Sequence, residues 1–167
     1  MSVANRVTKA RTIAKNADVL QGKAPVVAMV QRGGDVRAKV LPKVNSKNLR
    51  EVIYENVSKK ARIMTDESYL YTSIGGAFEG GHDTVNHNAK QYANGDITTN
   101  TVEGFFSILK RGMIGTFHNV SKEHLHRYVG EFEYKYNTRK MLDGERVVLA
   151  IKKSEGKRLH YKEPITD

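Results

Sequence analysis

Two short apolar segments separated by a pair of glycines place the strongest constraint on the fold of this chain. The first is the β-branched run APVVAMVQ, residues 24–31, and the second is DVRAKVLP, residues 35–42, in which apolar and charged residues alternate. Alternation with a period of two is typical of a strand with one buried face. Gly33-Gly34 suits the tight turn between two antiparallel strands. The sequence therefore predicts a β-hairpin, and with it a sheet.

Three longer segments carry apolar residues at helical spacing. Residues 45–57 predict a helix with Asn45 or Ser46 as its N-cap. TTNTVEGFFSILKRGMIG, residues 98–115, predicts a second helix, and SKEHLHRYVGEFEYKYNTRK, residues 121–140, predicts a third. Each has an apolar stripe that would face a core.

The remaining segments are shorter. Residues 61–68 and 82–88 predict short strands, and residues 144–157 predict a last short helix. Residues 1–24 are polar and basic without clear periodicity, which predicts an arm or loop. Strands and helices are mixed along the chain, so the predicted class is α/β or α+β.

The charge of the chain is strongly positive and unevenly distributed. The net charge is +10, and residues 1–60 hold 13 Lys and Arg against 4 Asp and Glu, whereas residues 61–120 are slightly acidic. This pattern favours a nucleic-acid partner around a carboxylate-bearing centre; the alternative is a merely basic soluble domain. The sequence has no cysteine, which excludes disulfides and thiolate zinc sites. It has no run of 18 apolar residues, so we expect no membrane span and a cytosolic setting.

Two carboxylates are the candidate chemical groups. Asp66 ends a predicted strand and Glu103 lies in the first turn of a predicted helix. Carboxylates from distant segments can converge to hold a pair of Mg²⁺ ions that act on a phosphodiester. Glu103 also suits a capping box with Asn100, and Asp66 also suits a turn after a strand. Spacing alone leaves both alternatives open.

Basic and imidazole side chains are the candidate DNA contacts. Lys110 lies seven residues after Glu103, so both residues share one helix face about 10 Å apart along the axis. Arg111 follows Lys110, and together they could bind the phosphates of a DNA backbone. His118, His124 and Arg127 are further candidates for phosphate contact, although surface or packing roles also suit the two histidines. No histidine pair has a clear zinc spacing.

The chain resembles the insertion-sequence transposases of the DDE superfamily, in the ISXO-like branch. The resemblance rests on RIMTDESYLY, on APVVAMVQRGGDVRAKVLP, and above all on TNTVEGFFSILKRG followed by the pattern HxxSxxHLxRYxxEFxxxYNxR. It runs from about residue 23 to beyond residue 140.

The resemblance implies an α/β, ribonuclease H-like fold and DNA transposition by cleavage and strand transfer. It implies double-stranded DNA as partner, both transposon ends and target, with Mg²⁺ or Mn²⁺ held by an Asp, Asp, Glu set. Asp66 matches the second Asp, Glu103 the Glu, and Lys110 the following DNA-contacting Lys. It also implies a homo-oligomer when active and a bacterial, nucleoid-associated setting in the cytoplasm.

The sequence departs from the family at its first Asp. That residue should lie on a strand before the hairpin, and neither Asp18 nor Asp35 is a credible substitute. We therefore expect an N-terminally truncated transposase lacking its first, central strand. Either the N-terminal arm or a partner chain would fill the gap, or the fold would be loosened there. The expected parts are a basic arm at 1–24, a catalytic domain at 25–142 and a helical extension at 143–167. The expected function is a transposase fragment with an incomplete triad; the alternative is a non-catalytic, transposase-derived DNA-binding or regulatory protein.

Overall fold

The structure, a computed structural model, describes residues 6–12, 24–66, 68–72, 74–85, 93–94 and 97–158; for residues 6–12, 93–94 and 97–98 it describes the backbone alone. The chain divides into two compact units, Met1–Asn137 and Thr138–Asp167. The mixture of strands and helices confirms the predicted α/β character of the first unit.

A five-stranded mixed sheet forms the centre of the first unit. Its strands are β1 (Arg6–Thr12), β2 (Pro25–Gln31), β3 (Val36–Val40), β4 (Ile63–Asp66) and β5 (His82–Val85), and their spatial order is β3-β2-β1-β4-β5. β1 is antiparallel to β2 and parallel to β4, β2 is antiparallel to β3, and β4 is parallel to β5. A separate two-stranded ribbon joins β6 (Ala93–Asn94) to β7 (Ile97–Thr98).

The N-terminal arm fills the place of the central strand, which is one of the three outcomes expected from the sequence. Residues Arg6–Thr12, from the segment predicted to be a basic arm, form β1 between β2 and β4. Seven residue pairs join β1 to β2, which occupies the whole of β1. This polar segment forms a strand because of its tertiary contacts. The buried backbone groups of β2 and β4 need hydrogen-bond partners, and β1 supplies them despite its polar sequence.

Two hydrophobic clusters cover the two faces of this sheet. Helix α1 (Ser46–Asn56) packs on one face, which we call the α1 side, against Val27 and Met29. Helices α2 (Asn100–Gly112) and α3 (Leu125–Asn137) pack on the other face, the α2 side, against Val26, Ala28 and Val30. β2 is buried on both faces, as expected of a strand inside a sheet covered by helices on both sides.

The predicted hairpin and helices are confirmed, with small shifts at their ends. Gly33 has φ +71° in the turn between β2 and β3, a conformation that glycine adopts without strain. Asn45 is the N-cap of α1, where its side chain accepts a hydrogen bond from the Asn48 amide at 2.7 Å. α3 begins at Leu125, four residues after the start of the predicted range 121–140, because residues 122–124 form a turn first.

Side chains of α3 cover the outer edge of the sheet. Asn137 accepts a hydrogen bond from the Val36 amide at 2.7 Å and donates one to the Val36 carbonyl at 2.9 Å. Glu133 Oε2 accepts a hydrogen bond from the Ala38 amide at 2.9 Å. These contacts satisfy outward-facing backbone groups of β3 that an edge strand would otherwise present to solvent or to another strand.

The second unit contains helix α4 (Asp143–Ser154). No residue of α4 is buried, and Val147, Val148 and Ile151 are exposed. Arg146 donates hydrogen bonds to Asp143 Oδ1 at 3.0 Å and to Thr138 Oγ1 at 3.2 Å, which tie the helix to the segment before it.

Candidate functional site

Asp66 is the last residue of β4, as the sequence predicts. It pairs in register with Val85 of β5, and its side chain is half-buried. Met64, two residues earlier, is fully buried in the cluster of α2 and α3. Because alternate residues of a strand face the same side, Asp66 belongs to the α2 side of the sheet.

Glu103 lies in the first turn of α2 and is half-buried. The N-cap of this helix is Thr99, which makes no side-chain hydrogen bond to the helix backbone, and Asn100 is already helical. The capping box with Asn100 at the N-cap is therefore wrong. Instead, the buried Thr99 hydroxyl donates a hydrogen bond to Glu103 Oε1 at 3.2 Å. This contact orients the carboxylate, and the helix dipole favours a negative charge there.

The two predicted carboxylates lie on the same side of the sheet. Val102, next to Glu103, is buried in the same cluster as Met64, so α2 packs on the face of the sheet to which Asp66 belongs. Within the part of the chain that the structure describes, no three His, Cys, Asp or Glu side chains form a group able to hold a metal ion. Strand β1, with sequence RVTKART, has no acidic residue.

The predicted basic residues lie on elements that contact one another. Lys110 and Arg111 occupy the last turn of α2, which continues as a π-helix over Met113–Phe117. His124 lies in the turn just before α3, and Arg127 lies in the first turn of α3. The Phe117 ring packs edge-on against Tyr128 of α3, with ring centroids 4.6 Å apart. The end of α2 and the start of α3 therefore form one region, which we call the basic region.

His118 ends the π-helix in an uncommon conformation. Its φ is +57°, the one positive φ of a non-glycine residue in the described ranges, and its side chain is exposed. Such backbone outliers and π-turns occur often at functional sites. The strain at His118 therefore adds to the reasons for treating this loop as part of a binding surface.

A buried hydroxyl links the strand that carries Asp66 to β5. Thr65 is fully buried; its Oγ1 donates to the Asp66 carbonyl at 2.8 Å and lies 2.8 Å from His82 Nε2. The hydroxyl has one hydrogen, so His82 Nε2 carries a proton and donates to Thr65. Burial lowers the pKa of His82 below its ordinary value of 6.5, against the opposing effect of the Asp83 carboxylate.

The lowered pKa of His82 predicts a loss of stability in mild acid. Below pH 6.5 the unfolded chain protonates His82 while the folded chain keeps it neutral. The unfolded state then binds more protons, so the free energy of unfolding falls as the pH falls from 6.5 towards the folded pKa. Urea unfolding of the wild type and of His82→Gln at pH 7.5 and 5.5 measures this. We expect a smaller fall for the variant; an equal fall would assign the pH dependence to other groups.

Sequence reasoning left one part of this site open, the segment that forms the central strand. Only the β-branched residues Val7, Thr8 and Thr12 signal a strand there, and they are interleaved with Arg6, Lys9 and Arg11. β1 lies directly beside β4, the strand that carries Asp66, and pairs with it at Ile63 and Met64.

Comparison with known families agrees with this architecture. The family model described as ISXO2-like transposase domain matches residues 3–137. The chain therefore belongs to this family of insertion-sequence transposases of the DDE superfamily. The match includes β1, which the resemblance seen in the sequence did not reach.

Two further findings complete the comparison. No curated protein matches the chain. None of the described helices has the length and apolar character needed to cross a membrane. Membership of the family supports a general role in DNA transposition.

Proposed function

We propose that this chain is the DNA-binding domain of an insertion-sequence transposase with a ribonuclease H-like fold. The observation that carries the proposal is the family match over residues 3–137. The sheet supports the fold assignment, because its first three strands form an antiparallel meander and its last two run parallel to the central strand. The charge of +10 supports a polyanionic partner.

The basic region is the proposed contact with duplex DNA. Lys110, Arg111 and Arg127 supply cations, and the exposed His118 and the half-buried His124 supply imidazoles beside them. Contacts of this kind to phosphate position a protein on DNA and make its affinity dependent on salt. We further propose that copies assemble on DNA in the bacterial cytoplasm, because transposition must hold transposon ends together with a target.

The residues present do not fit a two-metal centre. The family resemblance implies Mg²⁺ or Mn²⁺ held by three carboxylates, and of such a set the resemblance matches Asp66 and Glu103 among the residues that the structure describes. The neighbouring strand β1 has Arg, Lys and Thr but no acid. Two carboxylates leave a pair of metal ions short of bridging oxygen ligands. We therefore assign DNA binding, and not cleavage, to the isolated chain.

A second candidate function is metal-dependent DNA cleavage and strand transfer. One observation favours it: Asp66 and Glu103 belong to the same side of the sheet, and the Thr99 hydroxyl orients the Glu103 carboxylate. Cleavage would need a third carboxylate from another source.

Binding to duplex DNA at several salt concentrations tests the first function. We expect the logarithm of the binding constant to fall linearly with the logarithm of the salt concentration. Affinity that does not change with salt would contradict binding through phosphates.

Plasmid nicking with Mg²⁺ or Mn²⁺ separates the two functions. We expect the wild type and Glu103→Ala to bind DNA equally and neither to nick it above background. Nicking by the wild type that Glu103→Ala abolishes would overturn the assignment and establish the cleavage function.

A further inference from the structure

Helix α4 has an exposed apolar face. Val147, Val148 and Ile151 are 58%, 52% and 63% exposed. Together with Gly144 they follow the spacing i, i+3, i+4 and i+7, which places them on one side of the helix. We call this face the α4 stripe. Apolar residues that are grouped into one exposed patch indicate an interaction surface, whereas single ones do not.

The side of α4 that is partly covered is the opposite one. Arg146 and Leu149 are half-buried, and Arg146 Nε donates a hydrogen bond to Thr138 Oγ1 at 3.2 Å. At 3.6 residues per turn, both residues lie about 150° around the helix axis from the middle of the α4 stripe. The helix is therefore held by one side and has its apolar residues on the other.

The charges at the two ends of α4 indicate which partner fits the stripe. Glu145 lies in the first turn of the helix and Lys152 in the last. They are seven residues apart, so they lie on the same flank of the stripe. In an antiparallel pair of α4 helices, Glu145 of each copy comes beside Lys152 of the other. A parallel pair would bring like charges together at both ends.

The apolar residues match in the same antiparallel register. With the two-fold axis midway between Val147 and Val148, each of these residues packs against the other one in the second copy. Gly144 of one copy then faces Ile151 of the other. A Cβ atom on Gly144 would meet no heavy atom within 4 Å, and this glycine lines a groove of about 530 Å³. The larger Ile151 side chain therefore has room there.

We propose that α4 is a dimerisation helix that packs antiparallel against α4 of a second copy of this chain. A two-fold interface uses the same patch on both copies, so one self-complementary stripe is sufficient. The family match ends at residue 137 and α4 begins at Asp143, so the family does not account for this helix. The proposal deepens the assembly of copies proposed above and rests on that function for its role.

The size of the interface predicts a weak dimer. Two short helices bury less than the roughly 1,200 Å² of a standard stable interface. We therefore expect dimers in the absence of DNA only at high protein concentration. Two copies bound to one DNA molecule would have a high effective concentration, and the pairing of α4 would then hold them together.

Sedimentation equilibrium without DNA tests the charge pairing. Lys152→Glu places like charges at both ends of the helix pair and should weaken the dimer about 10-fold. Lys153→Glu is the matched control, because it makes the same charge change in the same helical turn but on the opposite side of the helix. It should change the dissociation constant by less than about 2-fold.

Two results of this experiment would overturn the proposal. A wild type that remains monomeric at about 1 mM would mean that the α4 stripe does not pair with a second copy. Equal weakening by Lys152→Glu and Lys153→Glu would place the dimer contact elsewhere on the chain.

Introduced cysteines test the orientation independently of the charges, because the chain has no cysteine of its own. In the antiparallel pair Gly144 faces Ile151, whereas the two copies of Gly144 are about 10 Å apart along the helix axes, too far for a disulfide. Oxidation should therefore cross-link a mixture of Gly144→Cys and Ile151→Cys and neither variant alone. No cross-link in the mixture, or an equal yield from one variant alone, would contradict the antiparallel pairing.

Failure of this proposal can be distinguished from failure of the proposed function. Sedimentation and cross-linking are carried out without DNA, whereas salt-dependent binding to a duplex measures the function. A chain that dimerises through α4 but does not bind DNA would refute the function and support the pairing. A chain that binds DNA but remains monomeric without it at about 1 mM would do the reverse.

Discussion

Replacing Gly112 with alanine is expected to lower the melting temperature by about 6–12 °C. Gly112 ends α2 where the helix meets α3, and a Cβ atom there would lie 2.0 Å from Phe132 Cζ and 2.8 Å from Cε1. Phe132 is 7% exposed and packs edge-on against Phe117, so its ring has little room to move. We expect overpacking to cost about 3 kcal/mol, the upper end of the usual range.

The same substitution at Gly130 is the matched control. Gly130 lies in the interior of α3 on its exposed face, and a Cβ atom there would meet no heavy atom within 4 Å. Alanine is a better helix former than glycine by about 1 kcal/mol. Gly130→Ala should therefore raise the melting temperature slightly, whereas Gly112→Ala should lower it.

A partial rescue would locate the cause. Combining Gly112→Ala with Phe132→Leu removes the ring that the new methyl group meets, so the double variant should be more stable than the two single effects added together. A melting temperature of Gly112→Ala within about 2 °C of the wild type would show that α2 and α3 approach each other less closely than this contact requires.

The double variant Lys110→Ala/Arg111→Ala is expected to bind duplex DNA about 60-fold more weakly in 0.1 M salt. Each phosphate contact contributes about 0.9 to the magnitude of the slope of log affinity against log salt concentration. One such contact therefore strengthens the affinity about 8-fold between 1 M and 0.1 M salt. Two lost contacts should therefore reduce the magnitude of the slope by about 1.8. Titration of a labelled duplex at four salt concentrations measures both quantities.

A second basic pair on the same chain is the control for net charge. Lys59 and Lys60 are both exposed in the loop between α1 and β4, outside the basic region. Lys59→Ala/Lys60→Ala removes the same charge and should leave the slope nearly unchanged. Equal losses of affinity in both double variants would mean that the affinity for DNA depends on the overall charge of the protein. That result would contradict a specific DNA contact at the basic region.

The elements with strong local patterns could be predicted from the sequence. The hairpin around Gly33-Gly34 and the helix capped by Asn45 follow from alternation, helical spacing and a capping side chain, all of which are local. Asp66 and Glu103 were placed correctly at a strand end and in a first helical turn for the same reason.

The parts that could not be predicted depend on contacts between distant segments. β1 is a strand because β2 and β4 pair with it on both edges, and its own arginines and lysine do not signal burial. The need for glycine at position 112 comes from a ring twenty residues away. The late start of α3 depends on the turn that follows Val120, which is buried in the core.

The hydrogen bonds from α3 to β3 make two backbone amides into reporters of helix position. The Val36 amide is held by Asn137 and the Ala38 amide by Glu133, so both should exchange with solvent slowly while α3 is docked. Because the basic region includes the start of the same helix, a displacement of α3 by DNA would be transmitted to the far edge of the sheet. Faster exchange at those two amides would record it without any label on the DNA-facing surface.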